Sequence, residues 1–161
     1  MAHPQGAPPQ ARLALARQFF AVIPHGRLLG LEPVEVGENT VLARLPYAEE
    51  IVGNPDNGVI HGGVITTLVD QTSGAAVLAT LGTPEQVATL DLRIDYLHPA
   101  RPGADVLARA ECYKVTGHIC FVRCQVFQDH EDDPIATSMS TFMRAAGEGP
   151  GLVEGAAPWD S

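Results

Sequence analysis

The chain has 161 residues, of which 45% are hydrophobic and 18% charged, and its formal net charge is −9. This apolar content excludes an intrinsically disordered chain, and the length corresponds to about one domain. The charge argues against nucleic acid and anionic membrane surfaces as partners, because 10 Lys and Arg residues spread along the chain do not form a basic face.

The sequence predicts no segment that targets or spans a membrane. Residues 1–10 contain neither the basic nor the apolar region of a signal peptide. The charge-free residues 71–84 are fewer than the roughly 20 that a spanning helix needs. We therefore expect a cytoplasmic protein.

The three cysteines, Cys112, Cys120 and Cys124, are an odd number and are predicted to be reduced thiols. Their simplest role is to fill a buried sheet face. The alternative is a zinc site formed with His118, but the paired ligand spacing of structural zinc sites is absent from the sequence. We expect no metal.

Both ends of the chain differ in composition from its middle. Residues 1–9 and 147–161 are rich in Gly, Pro and Ala and carry almost no periodic apolar pattern. Ends of this composition are usually poorly ordered. The sequence thus predicts one domain, residues 10–146, between two disordered tails.

The first half of this domain begins with apolar residues at helical spacing, which predict a helix over residues 11–22 that ends before Pro24. Residues 31–36 and 40–45 predict two strands joined by a tight turn. Residues 48–60 contain two Gly, two Asn and one Pro, a composition typical of a loop.

A long helix is predicted over residues 62–81, which contain no Pro and are followed by Gly82. Asp70 is its only ionisable side chain, and Thr66, Thr67 and Gly74 lie one turn away on a stripe of small or polar residues. An exposed helix face normally carries long charged side chains, so this stripe indicates close approach of a ligand or of another backbone. Asp70 is then a general base or a nucleophile, or else an ordinary surface carboxylate. The residues predicted to face the sheet are Ile65, Leu68, Val69, Thr72 and Ala76.

Residues 86–98 alternate between apolar and polar side chains, which predicts a half-buried strand. Strict alternation puts Leu90, Leu92, Ile94 and Tyr96 on one face and Thr89 on the other. Three more strands are predicted over residues 105–115, 118–128 and 135–145. Because short turns join consecutive strands, the order predicts the α+β class, with a long helix packed on an antiparallel sheet of five to six strands.

The long helix begins at His61-Gly62-Gly63. The first N–H groups of a helix have no intrahelical partner and lie at its positive end, and glycine lets a ligand approach them. A carbonyl oxygen placed there would be stabilised as it becomes negative, as in an oxyanion hole. The alternative is that the glycines serve only the turn into the helix. His61 would either hold this turn by hydrogen bonding or contact the reacting group.

Two stretches of sequence resemble a known family. Residues 54–63, NPDNGVIHGG, followed by LVD at residues 68–70, are similar to the signature of hotdog-fold acyl-CoA thioesterases, and in particular of the group related to the phenylacetate-degradation thioesterase. Residues 88–100 are similar to the strand that follows the helix in that group. Together the matches cover roughly residues 28–144.

The resemblance implies a long central helix wrapped by a curved sheet, and an obligate homodimer that is commonly a dimer of dimers, hence a homotetramer. Each site would lie at the dimer interface, with the carboxylate supplied by the subunit opposite the oxyanion donor. Asp70 matches the catalytic carboxylate, Gly62 the N–H that polarises the thioester, and Thr89 a residue that assists the carboxylate or the water.

Other residues are assigned to the site less directly. Some relatives place an Asn or Gln in the loop before the glycines, a position that Asn54 and Asn57 both approximate. Gly63 would let substrate approach the backbone. His98 and Arg101 would contact the phosphates of coenzyme A, or else belong to a solvated turn.

The resemblance therefore implies hydrolysis of an acyl-CoA thioester to a free acid and coenzyme A, with no cofactor or metal required. One alternative is an acyl-thioester dehydratase or hydratase of the same fold, which needs a His paired with a carboxylate. The other is a protein that binds acyl-CoA without turnover. The acyl group, and the role of Asp70 as base or nucleophile, are left open.

Overall fold

The computed structural model describes residues 8–144. The predicted tails lie outside these residues, except for Pro8 and Pro9. Pro9 is the first residue of helix α1, so this helix begins two positions before the predicted one.

Three helices are present in the described residues: α1 (Pro9–Val22), α2 (Pro24–Leu28) and α3 (Gly62–Leu81). The predicted bounds of α3 are confirmed. The short helix α2 was not predicted, because Pro24 was taken only as the end of α1. Proline fits the first turn of a helix, where its missing N–H would have no partner, and Pro24 begins α2 in this way.

Six strands form one antiparallel sheet in the order β1-β2-β6-β7-β8-β5, and two short strands, β3 and β4, form a separate hairpin. The α+β class and the six-stranded sheet are as predicted, and the predicted ends of these six strands are confirmed to within two residues. The strands are β1 (Glu32–Val36), β2 (Thr40–Leu45), β3 (Val52–Asn54), β4 (Val59–Ile60), β5 (Val87–Tyr96), β6 (Val106–Val115), β7 (Ile119–Phe127) and β8 (Ala136–Arg144).

The prediction of a loop over residues 48–60 was wrong. This segment contains a 3-10 turn, Glu49–Ile51, and the β3–β4 hairpin. The hairpin turns at Gly58, whose φ of 71° lies in the left-handed region that suits glycine. Strands of two and three residues are too short to show alternation, which is why the sequence pattern did not reveal them.

The core lies between α3 and the inner face of the sheet. On β6 and β7 every second side chain is buried beneath the helix: Val106, Ala108, Ala110, Cys112, Cys120, Val122, Cys124 and Val126. The five α3 residues predicted to face the sheet are also buried. Gly82 follows the helix as predicted, with a left-handed φ of 67°, and its N–H donates to Leu78 O.

Helix α1 packs on β1 and on α3. At their contact Gly74 has no side chain, and a Cβ there would lie 3.3 Å from Phe19 Cζ. This part of the predicted small-residue stripe is therefore covered by another element of the same chain. By length and composition α3 could span a membrane, but 67% of its most apolar segment is buried inside the fold, as in any core helix.

Candidate active site

The first turn of α3 forms one side of the site. His61 is the N-cap, and its Nδ1 accepts a hydrogen bond from Gly63 N–H at 2.9 Å, while Val64 N–H donates to His61 O at 3.0 Å. His61 thus holds the turn into the helix, the structural role weighed from the sequence. In the part of the chain that the structure describes, the Gly62 N–H has no hydrogen-bond partner and is available to a ligand.

Asp70 lies on the same helix and is half-buried. Thr89 Oγ1 on β5 donates a hydrogen bond to Asp70 Oδ1 at 2.7 Å. This contact brings together two residues that the sequence assigned to the site. No cation pairs with Asp70 among residues 8–144, and its Oδ2 atom makes no hydrogen bond there. One carboxylate oxygen is held, and the other is free to accept a proton.

A β-bulge on β5 brings Thr89 to Asp70. In the pairing with β8, Thr89 lies opposite Phe142 and Asp91 opposite Thr141, so Leu90 is the extra residue. A bulge shifts the alternation by one position. The prediction that Thr89 lies on the face opposite Tyr96 was therefore wrong, because Thr89 shares the inner face, which packs against α3.

An apolar cavity of about 310 Å³ opens beside Gly62. Its walls come from the β3–β4 hairpin, the start of α3 and the segment that follows β5. The lining residues are Val59, Ile60, Gly62, Ile65, Tyr96, Leu97, His98, Pro99 and Ala100. A larger depression of about 510 Å³ lies on the opposite face of the sheet among paired charges such as Arg123 and Glu111, and Asp70 and Gly62 are not among the residues that line it.

The two asparagines in front of the glycines have local roles. Asn54 Oδ1 accepts from Asp56 N–H at 3.0 Å, and Asn57 Oδ1 accepts from Val59 N–H at 3.1 Å. Side-chain bonds of this kind stabilise turns. Neither asparagine side chain hydrogen-bonds to Gly62 or Asp70 in the described residues of this chain.

His98 and Arg101 lie after β5, near the exposed turn between β7 and β8. His98 lines the cavity beside Gly62, and its Nε2 lies 3.7 Å from Asp133. Arg101 forms an exposed ion pair with Asp129 at 2.7 Å. His98 therefore borders the cavity beside Gly62, while Arg101 forms its ion pair with the exposed turn between β7 and β8.

The sequence did not single out Tyr96 as a site residue. Its hydroxyl donates to Gly62 O at 2.6 Å and lies 2.7 Å from Thr66 Oγ1. An aromatic residue on the apolar side of an alternating strand is typical of a core residue. Only its place at the end of the strand, level with the start of the helix, distinguishes it.

Among the described residues, no three His, Cys, Asp or Glu side chains lie close enough together to hold a metal ion. The three cysteines are free and buried, as predicted for residues that fill the sheet. Burial raises the pKa of Cys120 to about 11 and that of Cys124 to about 12. These thiols are therefore poor sources of thiolate at neutral pH.

Residues 57–135 match the model of the thioesterase superfamily. The chain is 30% identical over 151 residues to the medium/long-chain acyl-CoA thioesterase YigI of Salmonella typhimurium, an alignment that covers 83% of this chain and 94% of that protein. It is 38% identical over 96 residues to a protein of Halobacterium salinarum, where the match spans 56% of this chain and only 62% of the relative.

Solved structures of other proteins have the same fold. A protein from Pseudomonas aeruginosa is 46% identical, with a TM-score of 0.78, and the match covers 83% of this chain and 99% of that one. The PaaI protein from the Escherichia coli phenylacetic acid degradation operon shares the fold alone, with a TM-score of 0.76 at 15% identity over 88% of this chain and 98% of that one. The chain belongs to the thioesterase superfamily, which confirms the family that the sequence motifs indicated.

Proposed function

We propose that the protein hydrolyses acyl-CoA thioesters to a free acid and coenzyme A. The observation that carries the proposal is the position of the Asp70 carboxylate. Asp70 lies on α3, the helix whose first residue is Gly62, and it accepts a hydrogen bond from Thr89 on β5. Membership of the thioesterase superfamily supports thioester hydrolysis. The name of the YigI relative supports coenzyme A as the thiol, and the apolar cavity beside Gly62 suits an apolar part of such a substrate.

In the proposed reaction Asp70 removes a proton from water while the water oxygen attacks the thioester carbonyl carbon. The carbonyl oxygen becomes negative, and the Gly62 N–H donates a hydrogen bond to it. The tetrahedral intermediate then loses its C–S bond, and the proton on Asp70 passes to the departing sulfur. If Asp70 instead attacks the carbonyl carbon directly, the C–S bond breaks, coenzyme A leaves as its thiolate and a mixed anhydride forms on Asp70. Water then hydrolyses the anhydride to the free acid and protonated Asp70, whose proton passes to the thiolate.

The two groups cannot act on one carbonyl within a single protomer. Gly62 and Asp70 are eight positions apart on α3, and at the 1.5 Å rise of an α-helix they are about 12 Å apart along its axis. Each group must come within about 3–3.5 Å of the substrate carbonyl or of the attacking water. The proposed site is therefore composite, with Gly62 from one protomer and Asp70 from its partner in a homodimer.

The edge strand β5 supports a partner on this side of the molecule. It is ten residues long, and its outer edge is unpaired among the described residues. Leu90, Tyr96 and Leu97 beside that edge are 54%, 48% and 56% exposed. Long, exposed edges invite pairing with another chain, whereas β1 at the opposite edge has only five residues and contains Pro33, a residue that blocks pairing.

A thiol-release assay on the full-length protein tests the proposed function. Short, medium, long-chain and aryl acyl-CoAs are each supplied without added metal or nucleotide. Release of free coenzyme A from at least one of them is the expected result. Saturable acyl-CoA binding with no thiol release from any of them would contradict hydrolysis and favour a binding protein.

Mixing two inactive variants tests the composite site. Asp70→Asn and Gly62→Val subunits are unfolded together and refolded, so that mixed dimers form with one intact site of two. Part of the activity should return. If it does not, although sedimentation shows mixed dimers, Gly62 and Asp70 do not meet across the interface.

A further inference from the structure

Three oxygen atoms form a triangle at the first turn of α3. Tyr96 Oη lies 2.6 Å from Gly62 O and 2.7 Å from Thr66 Oγ1, and Thr66 Oγ1 lies 3.1 Å from Gly62 O. Tyr96 comes from the last position of β5 and Thr66 from the next turn of α3. Two hydroxyl groups therefore lie beside the carbonyl oxygen of the first helical residue.

A proton count determines the direction of these bonds. Each hydroxyl has one hydrogen to donate. If both hydroxyls donated to Gly62 O, the 2.7 Å contact between them would contain no hydrogen. The shorter distance to Gly62 O belongs to Tyr96, so Thr66 donates to Tyr96 and Tyr96 donates to Gly62. Hydrogen bonds arranged in such a chain strengthen one another.

The ring of Tyr96 also packs against the Gly62 backbone. A Cβ added to Gly62 would lie 3.3 Å from Tyr96 Oη and 3.4 Å from its Cζ. The contact at 3.3 Å is tighter than an ordinary van der Waals contact. The absence of a side chain at Gly62 therefore lets the tyrosine approach the backbone, as well as leaving the N–H open to a ligand.

We propose that Tyr96, supported by Thr66, is a positioning residue that fixes the Gly62 residue so that its N–H points at the reacting carbonyl. The inference rests on the proposed function, because it concerns the same oxyanion donor. Tyr96 does not itself supply a proton or touch the reacting atoms. Its hydroxyl acts through the orientation of Gly62, so its loss should lower turnover more than substrate binding.

The main test compares Tyr96→Phe with Tyr113→Phe. Both changes remove one phenol oxygen and keep the ring, but Tyr113 is exposed on β6 and contacts Arg123 rather than the site. Tyr96→Phe should lower kcat about ten-fold, less than the 10²–10³-fold lost with an oxyanion donor itself. KM should stay within about two-fold, since the ring that lines the cavity is kept.

A second pair of variants tests the hydrogen-bond chain. The hydroxyls of Thr66 and Thr67 lie 3.1 and 3.0 Å from the carbonyl oxygen four residues before them, but only Thr66 also contacts Tyr96. Thr66→Val should lower kcat about three-fold and Thr67→Val should not. In the Tyr96→Phe background Thr66→Val should have no further effect, because the chain is already broken.

Amide exchange of Gly63, whose N–H donates to His61 Nδ1 and belongs to the same peptide group as Gly62 O, separates the two proposals. Tyr96→Phe should raise the Gly63 exchange rate several-fold over Tyr113→Phe, whether or not acyl-CoA is the substrate. If the wild type releases no coenzyme A but exchange changes in this way, only the proposed function fails. If the wild type is active and Tyr96→Phe matches Tyr113→Phe in kcat and exchange, or alters KM alone, the positioning role is overturned.

Discussion

The two halves of α3 differ in what surrounds them. In the first half Gly62, Thr66 and Asp70 are half-buried, and hydroxyl groups from β5 bond to this turn and to the carboxylate. In the second half every residue from 71 to 79 is buried, with Phe19 of α1 packed over Gly74. One helix therefore carries polar contacts that orient a site and apolar contacts that stabilise the fold, so substitutions in the two halves should have separable effects.

The largest effect on turnover is expected from Asp70→Asn in the first half. Asparagine keeps the shape and the Oδ1 acceptor for Thr89, but it cannot take a proton or attack a carbonyl. We expect kcat to fall by about 10²–10⁴-fold, the usual contribution of a general base, with an unchanged melting temperature. Asp91→Asn, on an exposed position of β5, is the control. Near-normal turnover of Asp70→Asn would make Asp70 a structural residue.

The largest effect on stability is expected from Leu78→Ala in the second half. Leu78 is 2% exposed, and removing a buried leucine side chain costs about 2–5 kcal/mol in free energy of unfolding. Urea denaturation measures this loss, while kcat per folded molecule should not change. Leu28→Ala, at a residue that is 84% exposed, should lose little. A large loss of kcat in folded Leu78→Ala would mean that the two halves are coupled.

A smaller effect on turnover is expected from Thr89→Val, which removes the 2.7 Å hydrogen bond to Asp70 but keeps the shape of the side chain. One hydrogen bond to a charged group contributes about 1.5–3 kcal/mol, so a decrease in kcat of about ten-fold or more is expected. Thr89→Ser should restore most of it, and Thr141→Val on β8 should have no effect. If serine and valine behave alike, the hydroxyl has no role in orienting Asp70.

The smallest effect is expected on the free energy of unfolding at alkaline pH, through the buried thiol of Cys120 beneath α3. Burial raises the pKa of Cys120 from 9.0 to about 11. The folded protein then holds this proton more tightly than the unfolded chain, so the stability it contributes is complete below pH 9 and is lost as pH rises towards 11. The difference in unfolding free energy between wild type and Cys120→Ala should decrease over that range. A constant difference would contradict the assigned burial.

The sequence predicted the long elements, because alternation and helical spacing persist over ten or more residues in β5, β6 and α3. It also named Asp70 and Thr89, which the structure joins by a hydrogen bond. It missed the β3–β4 hairpin, whose strands are too short to show a period. It assigned Thr89 to the wrong face, since a bulge leaves no mark in an alternating pattern. Tyr96 was missed because its phenol ring fits the apolar pattern and only the fold shows where its hydroxyl points.

The bulge at Leu90 also has a consequence for how this strand tolerates change. Thr89 and Tyr96 are an odd number of positions apart, yet both reach α3, because one residue between them is out of step with β8. The side chain at position 90 is 54% exposed, so its identity is weakly constrained. The number of residues is constrained instead: deleting position 90 would leave Thr89 and Tyr96 six positions apart and on one face of a regular strand, whereas one residue more beside the single bulge would turn Thr89 away from Asp70. The spacing of the strand carries information that its composition does not.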